Sequence, residues 1–270
     1  MAAHGDNPLS HVVDHNTLEF PWYPQAWEVA LPRFAGFQLT RFMVTELIAA
    51  VLVALVVIPL ARHVARHHVS RGWFMNMFEA IILYLRDNVA RPAIGGHGAD
   101  AFMPYLWTVF FFILFNNLLG LIPGLASATG NANVTVVLAL MTLVTVILAG
   151  MREMGAAGFW IGIVPHLDVP PWLKPFLWGL MFVIEVAGLF IRHAVLAVRL
   201  FANMLAGHIV LAVILGFIVM AKGVAFYPVA TASVLGVIAL SLLELFVAFL
   251  QAYIFTFLSA LFIGSAVHPH

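Results

Sequence analysis

Two apolar segments in the last third of the chain are each too long for an ordinary membrane crossing. The segment 176–221 has about 46 residues without a proline, and 228–264 adds about 37 more after the turn "KGVAFYP". At about 1.5 Å per residue the first would be about 69 Å long as one helix, more than twice the hydrocarbon thickness of about 30 Å. Ordinary helix tilts of about 20° do not absorb that excess. We therefore expect two steeply inclined helices that form an antiparallel hairpin inside the membrane.

The composition is that of a membrane protein. Hydrophobic residues make up 63% of the 270 residues and charged residues 9%, whereas soluble domains carry about 25% charged residues. Because a membrane helix needs about 20 apolar residues, three further spans are predicted at 43–61, 103–123 and 134–151. The expected fold is therefore all-α, with about five membrane helices. It comprises an N-terminal segment, 1–42, and a single integral membrane domain, 43–270.

Basic residues suggest how the chain is oriented. The segment 62–100 carries five arginines, and only two precede the first span, so the positive-inside rule places this segment in the cytoplasm. The N-terminus is then periplasmic and, after five crossings, the C-terminus is cytoplasmic. Within the segment, residues 72–91 are predicted to form an amphipathic helix on the inner membrane surface, ended by Pro92. Asn133 is predicted to cap the third span.

One stripe of the first long helix carries four polar side chains. At about 100° per residue, Arg192, Arg199 and Asn203 lie within about 40° of one another, and Glu185 falls beside them. A charged arginine at the bilayer centre costs about 2.5–3.5 kcal/mol on insertion scales, so such a stripe indicates an ion path or a partner contact. A second polar stripe on the last helix is formed by Ser233, Glu244 and Gln251.

The polar residues of the two long helices also match each other in register. Facing residues of an antiparallel pair have numbers whose sum is nearly constant. Arg199 with Gln251, and His208 with Glu244, both give a sum of about 450, which places the turn near residue 225, inside the predicted turn. We therefore expect each pair to lie at one level of the hairpin.

Several stretches of the chain resemble the membrane a subunit of F-type ATP synthase. "RLFANMLAGH" at 199–208 is similar to that family's best-known motif, and "FNNLLGLIPG", "ANVT" and "LLELFVAFLQAYIFTFLS" are similar to its other landmarks. The resemblance runs from about residue 40 to 264. It implies a non-catalytic stator that faces a rotating ring of c subunits, contacts the b-subunit peripheral stalk and lies in the bacterial inner membrane.

The resemblance also implies roles for individual residues. Arg199 matches the family's essential arginine, which separates two offset half-channels, and Gln251 matches the glutamine paired with it across the hairpin. The remaining matches are to channel-lining positions on the two sides of the membrane. The outer set is Asn203, His208 and Glu244, and the inner position is Glu185.

Other polar residues of the spans receive weaker interpretations. Asn116 and Asn117 are interpreted as helix-packing residues, and Arg192 stays open between channel lining and an interfacial position. His193 stands where many family members have proline, and no role is assigned to it. Ligand-type residues in "HVVDH" at 11–15 are loosely spaced, and an ordinary loop is favoured over a metal site. We expect neither a metal nor a cofactor.

Other classes of protein fit the sequence less well. The last long segment, 228–264, has no histidine, which argues against haem held between facing helices, and the chain lacks both cysteine and a phosphate-binding loop. Balanced charge excludes a nucleic-acid footprint. A proton-coupled secondary transporter would suggest two related halves, which are not seen. Sodium in place of protons is left open, because the family's ring subunit is expected to set that choice.

Overall fold

The N-terminal part of the structure contains short β-hairpins. The computed structural model describes residues 17–20, 27–30, 33–34, 37–38, 40–67, 72–122, 127–165, 170, 172–221, 223 and 226–267. Strand β1 (Thr17–Phe20) pairs antiparallel with β2 (Trp27–Ala30), and β3 (Arg33–Phe34) with β4 (Phe37–Gln38). The sequence did not predict these strands, since four-residue and two-residue strands leave almost no periodic signal.

Helices form the rest of the described chain, and five of them are long and apolar enough to cross a membrane. The prediction of an all-α membrane protein with about five spans is confirmed for this part of the molecule. The α-helices are α1 (Arg41–His67), α2 (Trp73–Leu85), α3 (Arg91–Ile94), α4 (Gly96–Gly120), α5 (Ala132–Met154), α6 (Ala156–Gly162), α7 (Lys174–Met220) and α8 (Phe226–Val267). The five candidate spans are α1, α4, α5, α7 and α8.

The last two spans are continuous long helices, as predicted. Helix α7 has 47 residues and α8 has 42. Both begin slightly earlier than expected, because Pro175 and Pro228 lie inside their first turns. Proline is tolerated there, since the N–H groups of a first turn have no carbonyl partner in the helix. Gly223, in the connection between them, has φ 64°, a left-handed conformation that favours glycine.

Two predicted helix boundaries are wrong. Pro92 does not end the surface helix: α2 continues through a π-helical turn, Arg86–Ala90, into α3, where proline occupies the first turn. Asn133 does not cap the third span. Asn131 does, because its Oδ1 accepts the N–H of Asn133 at 2.9 Å. The loop after this span also contains a helix, α6, that was not predicted.

The chain divides into two compact units. The first comprises residues 1–54, 111–134 and 199–252, and the second comprises residues 55–110, 135–198 and 253–270. In the first unit the ends of α7 and α8 run antiparallel. A Cβ built on Gly236 would lie 3.8 Å from Ile214, and Gly207 packs against Glu244. The residue numbers of both pairs add up to about 450, so the predicted register is confirmed.

The second unit is closely packed at two glycines. Gly264 of α8 lies against the backbone of Ala93, and a Cβ at Gly264 would sit 2.8 Å from the Ala93 carbonyl carbon. Gly150 of α5 packs against the aromatic ring of Phe159 of α6. At the start of α4, Asp100 accepts two hydrogen bonds from Arg86, at 2.8 and 3.0 Å, and this raises the pKa of the guanidinium.

The hairpin register can be tested by disulfide formation, because the protein has no cysteine of its own. We expect Ile214→Cys combined with Gly236→Cys to form an intramolecular disulfide under mild oxidation. Ile214→Cys combined with Leu240→Cys, displaced by one helical turn, serves as the control and should cross-link far less. Electrophoretic mobility with and without reductant measures both. Equal cross-linking of the two pairs would contradict the register.

Candidate functional site

Arg199 lies on α7 in the first unit and is half-buried. Among the residues that the structure describes, its guanidinium forms neither an ion pair nor a hydrogen bond. The side chain is permanently charged and sits in an otherwise apolar helix. The first unit therefore presents a cation whose counter-charge does not come from the described part of this chain.

The helix face next to Arg199 is exposed. Asn203, one turn further along, is exposed, and so are the small residues Ala202 and Ala206. The neighbouring Leu200 and Met204 are buried, so α7 has one packed face and one open face at this level. The open face combines a charge, an amide and short side chains, which permits close approach of another helix.

Gln251 is 5% exposed and lies on α8 in the same unit as Arg199. The register shown by Gly207 and Gly236 places the two residues at one level of the hairpin. No hydrogen bond joins Gln251 to Arg199 within the described ranges. The arrangement thus brings the glutamine to the predicted level without making it a direct hydrogen-bond partner of the guanidinium.

Asn117 connects α4 to α8 beside this level. Its Nδ2 donates to the Ala248 carbonyl at 3.4 Å, and its Oδ1 accepts the Thr129 hydroxyl at 2.7 Å. Ala248 lies between Glu244 and Gln251 on α8, so this fully buried amide holds the helix at the point where both functional candidates emerge. The helix-packing interpretation is confirmed for Asn117. Asn116 is equally buried and donates to the Phe112 carbonyl of its own helix, so for that residue the interpretation stays a prediction.

Glu244 is packed against the backbone of α7 at Gly207. A Cβ built on Gly207 would lie 3.1 Å from Cδ and 3.3 Å from Cγ of the glutamate. The helix that approaches α7 at this glycine is α8 of the same chain. Only the absence of a side chain at residue 207 leaves room for the carboxyl group in this position.

His208 and Glu244 are titratable groups with buried, unpartnered atoms. Both carboxyl oxygens of Glu244 and the Nε2 of His208 are inaccessible and make no hydrogen bond to the described chain. The two side chains do not form an ion pair with each other in that part of the molecule. Buried polar groups are normally hydrogen-bonded to protein or to ordered water, so these atoms keep hydrogen-bonding capacity that water can satisfy.

Arg41 is a member of this region that the sequence did not reveal. It begins α1, is 4% exposed, and its charge acts electrostatically on the imidazole of His208. The sequence showed only an arginine at the start of an apolar run, which is ordinarily an interfacial anchor. The contact between α1 and the end of α7 could not be read from spacing.

Glu185 lies in the second unit and forms a separate polar group with Arg192. Glu185 Oε2 and Arg192 Nη2 are 3.8 Å apart, which makes a loose, partly exposed ion pair. Both line a cavity of about 280 Å³. Leu189 of α7 also lines it, and the other walls come from α5, the region of α6, and the last turns of α8, with Val146, Phe159, Ser265 and Ala266. Because water occupies about 30 Å³ in the liquid, the cavity has room for several molecules.

The six predicted site residues are therefore divided between the two units. The first unit holds Arg199, Asn203, His208, Glu244 and Gln251, and the second holds Glu185. Their functional roles stay predictions. No group of three or more metal-ligating side chains occurs among the described residues.

Comparison with known sequences identifies relatives along most of the chain. Residues 43–264 match the family described as ATP synthase A chain. A protein named ATP synthase subunit a from Myxococcus xanthus is 48% identical over 207 residues, which cover 75% of this chain and 65% of that protein.

Two further relatives differ in how much of them is matched. ATP synthase subunit a 2 from Chlorobaculum tepidum is 41% identical over 270 residues, covering 97% of this chain and 73% of the relative. A protein of the same name from Chlorobium luteolum is 50% identical over 192 residues, covering 71% of this chain and 53% of the relative. The match to the Myxococcus relative covers just under two thirds of that protein, and that to an Anaeromyxobacter dehalogenans relative about half.

The bridging role of Asn117 predicts that its replacement destabilises the fold. Asn117→Leu removes both hydrogen bonds and leaves the Thr129 hydroxyl and the Ala248 carbonyl buried without this partner. We expect a loss of about 1–3 kcal/mol, seen as a lower thermal unfolding midpoint of the purified protein in detergent. Asn116→Leu is the matched control, because that neighbouring amide is equally buried but bonds only its own helix. Equal destabilisation by both substitutions would contradict the bridging role.

Proposed function

The chain belongs to the ATP synthase A chain family, and on that premise we propose that it conducts protons to a rotating ring of c subunits. Two offset half-channels would lead to the ring from opposite sides of the membrane, with Arg199 between them. Proton flow would thereby be coupled to ATP synthesis in partner subunits, while this subunit itself catalyses no reaction. The b-subunit peripheral stalk and the rest of the synthase are the further partners of this proposal.

A single observation carries the proposal: Arg199 is a charged, half-buried residue of a membrane helix with no counter-ion in the described chain. A carboxylate on a ring subunit would supply that counter-ion. The exposed face with Ala202, Asn203 and Ala206 lets a ring helix come close enough to deliver it. The charge of a bare arginine in lipid would otherwise cost several kcal/mol.

The chemistry of arginine suits a barrier between the two half-channels. Its guanidinium does not lose its proton in proteins, so it cannot pass one on. A nearby positive charge lowers the pKa of a carboxyl group, so a protonated ring carboxyl that arrives at Arg199 releases its proton. Without such a barrier, protons would cross the membrane directly and lose about 2.3 kcal/mol per 100 mV as heat.

The outer half-channel would run past His208, Glu244 and Asn203. The unpartnered atoms of His208 and Glu244 support this assignment, because they need water as their hydrogen-bond partner. Histidine changes its charge near neutral pH and is suited to passing protons there.

The inner half-channel would begin at the cavity lined by Glu185 and Arg192. An acidic group at a water-filled entrance attracts protons, and its loose pairing with Arg192 leaves it partly exposed. In this proposal the protein lies in the bacterial inner membrane with its N-terminus periplasmic and its C-terminus cytoplasmic. Helices α7 and α8 are then steeply inclined, since their lengths exceed the bilayer thickness.

The proposal predicts that Arg199→Ala abolishes ATP-driven acidification of inverted membrane vesicles. The complex should still assemble, and its passive proton conductance should rise, because the barrier between the half-channels is lost. Arg62→Ala, at an exposed position near the end of α1, is the matched control and should pump normally. Sodium-free medium distinguishes the carried ion, since a sodium-coupled stator would stall there. Normal pumping by an assembled Arg199→Ala complex would overturn the proposal.

The close fit of Glu244 against Gly207 predicts a second effect on pumping. Gly207→Ala places a methyl group where the carboxyl group now lies, and the flexible glutamate side chain must turn away. We expect pumping to fall about tenfold while the fold is retained, because proton transfer depends on position. Gly216→Ala on the same helix is the control, since open space surrounds that glycine. Wild-type pumping by Gly207→Ala would show that the location of this carboxyl group is unimportant.

A further inference from the structure

His193 is a buried titratable residue that the proposed mechanism leaves unused. It lies on α7 in the second unit, six residues before Arg199 in sequence, and is 3% exposed. Its ring packs against Phe262 of α8, with ring centroids 5.0 Å apart. An apolar ring would fill this space equally well. The imidazole instead places two polar nitrogen atoms away from bulk solvent.

The hydrogen bond of His193 determines which nitrogen can accept a proton. Nδ1 lies 2.8 Å from the carbonyl oxygen of Leu189, one turn earlier on the same helix. A carbonyl can only accept, so Nδ1 carries the hydrogen and the neutral imidazole has its lone pair on Nε2. Nε2 is buried and has no hydrogen-bond partner in the described chain. The residue therefore presents one proton-accepting atom in a fixed orientation.

Residues next to His193 line the cavity of the second unit. Leu189, whose carbonyl holds Nδ1, and Arg192, the preceding residue, both line the cavity. On α8, Ser265 and Ala266 line it one turn beyond Phe262, which contacts the imidazole. His193 is therefore adjacent to the cavity wall without being one of its lining residues.

We propose that His193 binds and returns the translocated proton at Nε2, as an inner step of the path that begins at the Glu185 cavity. The inference rests on the proposed function and adds a residue to it. A protonated water that enters from the cavity transfers its proton to the Nε2 lone pair and becomes neutral water, and the imidazole becomes imidazolium. The imidazolium then gives the same proton to a water or carboxylate further along. Because the Leu189 carbonyl keeps Nδ1–H throughout, the ring does not have to flip.

Few charged residues of the described chain lie on the elements next to His193. On its own helix these are Arg192 and Glu185, which hold each other in the loose pair, and Arg199, six residues further along. The described end of α5 adds Arg152 and Glu153, both exposed, and the described part of α8 from Phe262 onward carries no charged residue. A change in the pH dependence of pumping on replacement of His193 can therefore be assigned to the imidazole, since these five residues remain in place.

The experiment compares wild type with His193→Asn and His193→Phe in inverted vesicles, whose medium contacts the inner half-channel in the proposed orientation. Asparagine keeps a donor for the Leu189 carbonyl, and phenylalanine keeps a ring against Phe262, but neither binds a proton. Initial rates of ATP-driven acidification are measured from about pH 6 to about pH 8.5 and divided by the amount of assembled complex in the vesicles. We expect both variants to pump nearly as wild type at the acid end and about fivefold or more slowly at the alkaline end, where protonated water is scarce.

The outcomes separate this inference from the function on which it rests. A wild-type pH profile in either variant, or a uniform loss of rate at every pH, would mean that His193 acts through its hydrogen bond or its packing, and the inference would be overturned. Arg199→Ala is measured in parallel. If it abolishes pumping while the His193 variants keep the wild-type profile, only the role of His193 fails. If Arg199→Ala pumps normally, the proposed function fails.

Discussion

The antiparallel packing of α7 against α8 is the interaction on which the candidate site depends. In the first unit, glycine at residue 207 and at residue 236 lets the two helices meet closely, and the Glu244 carboxyl group occupies the space beside Gly207. This contact brings the level of Arg199 to that of Gln251. Helices in lipid gain no hydrophobic energy from association, so van der Waals packing at small residues has to hold them together. A side chain at residue 207 would take the space that the Glu244 carboxyl group occupies.

Buried polar groups in this molecule fall into two kinds, which differ in whether the chain satisfies them. Both the nitrogen and the oxygen of the Asn117 amide are hydrogen-bonded, the first to the backbone of α8 and the second to Thr129. The residue therefore acts as a structural connection. Glu244, His208 and His193 have buried atoms that no described residue satisfies. Unsatisfied groups cost stability in a medium of low dielectric constant, so their presence indicates a use that compensates the cost. His208 and Glu244 lie in the first unit and His193 in the second.

The sequence predicted the elements better than their ends and contacts. Long apolar runs predicted all five spans, and the sum of residue numbers predicted the register of α7 and α8, because helix length and rise are properties of local sequence. The prediction that Pro92 ends the surface helix was wrong, since a π-helical turn before it allows the helical backbone to continue. The prediction that Asn133 caps the third span was wrong. Two asparagines lie near the start of that helix, and which one caps it depends on backbone geometry.

By itself the sequence determined that this is a membrane protein and that its last two helices form a hairpin. It also determined that polar residues of one helix of the hairpin, among them arginine and histidine, lie level with polar residues of the other, among them a carboxyl group. Each of these follows from hydropathy and helical periodicity, which are local. Only the tertiary structure decided that Arg41 approaches His208 and that Glu244 fills the space beside Gly207. It also decided that His193 lies next to residues that line a cavity and that its Nε2 has no hydrogen-bond partner in the described chain. These depend on which helix faces meet, and that is set by side-chain packing between segments far apart in the chain.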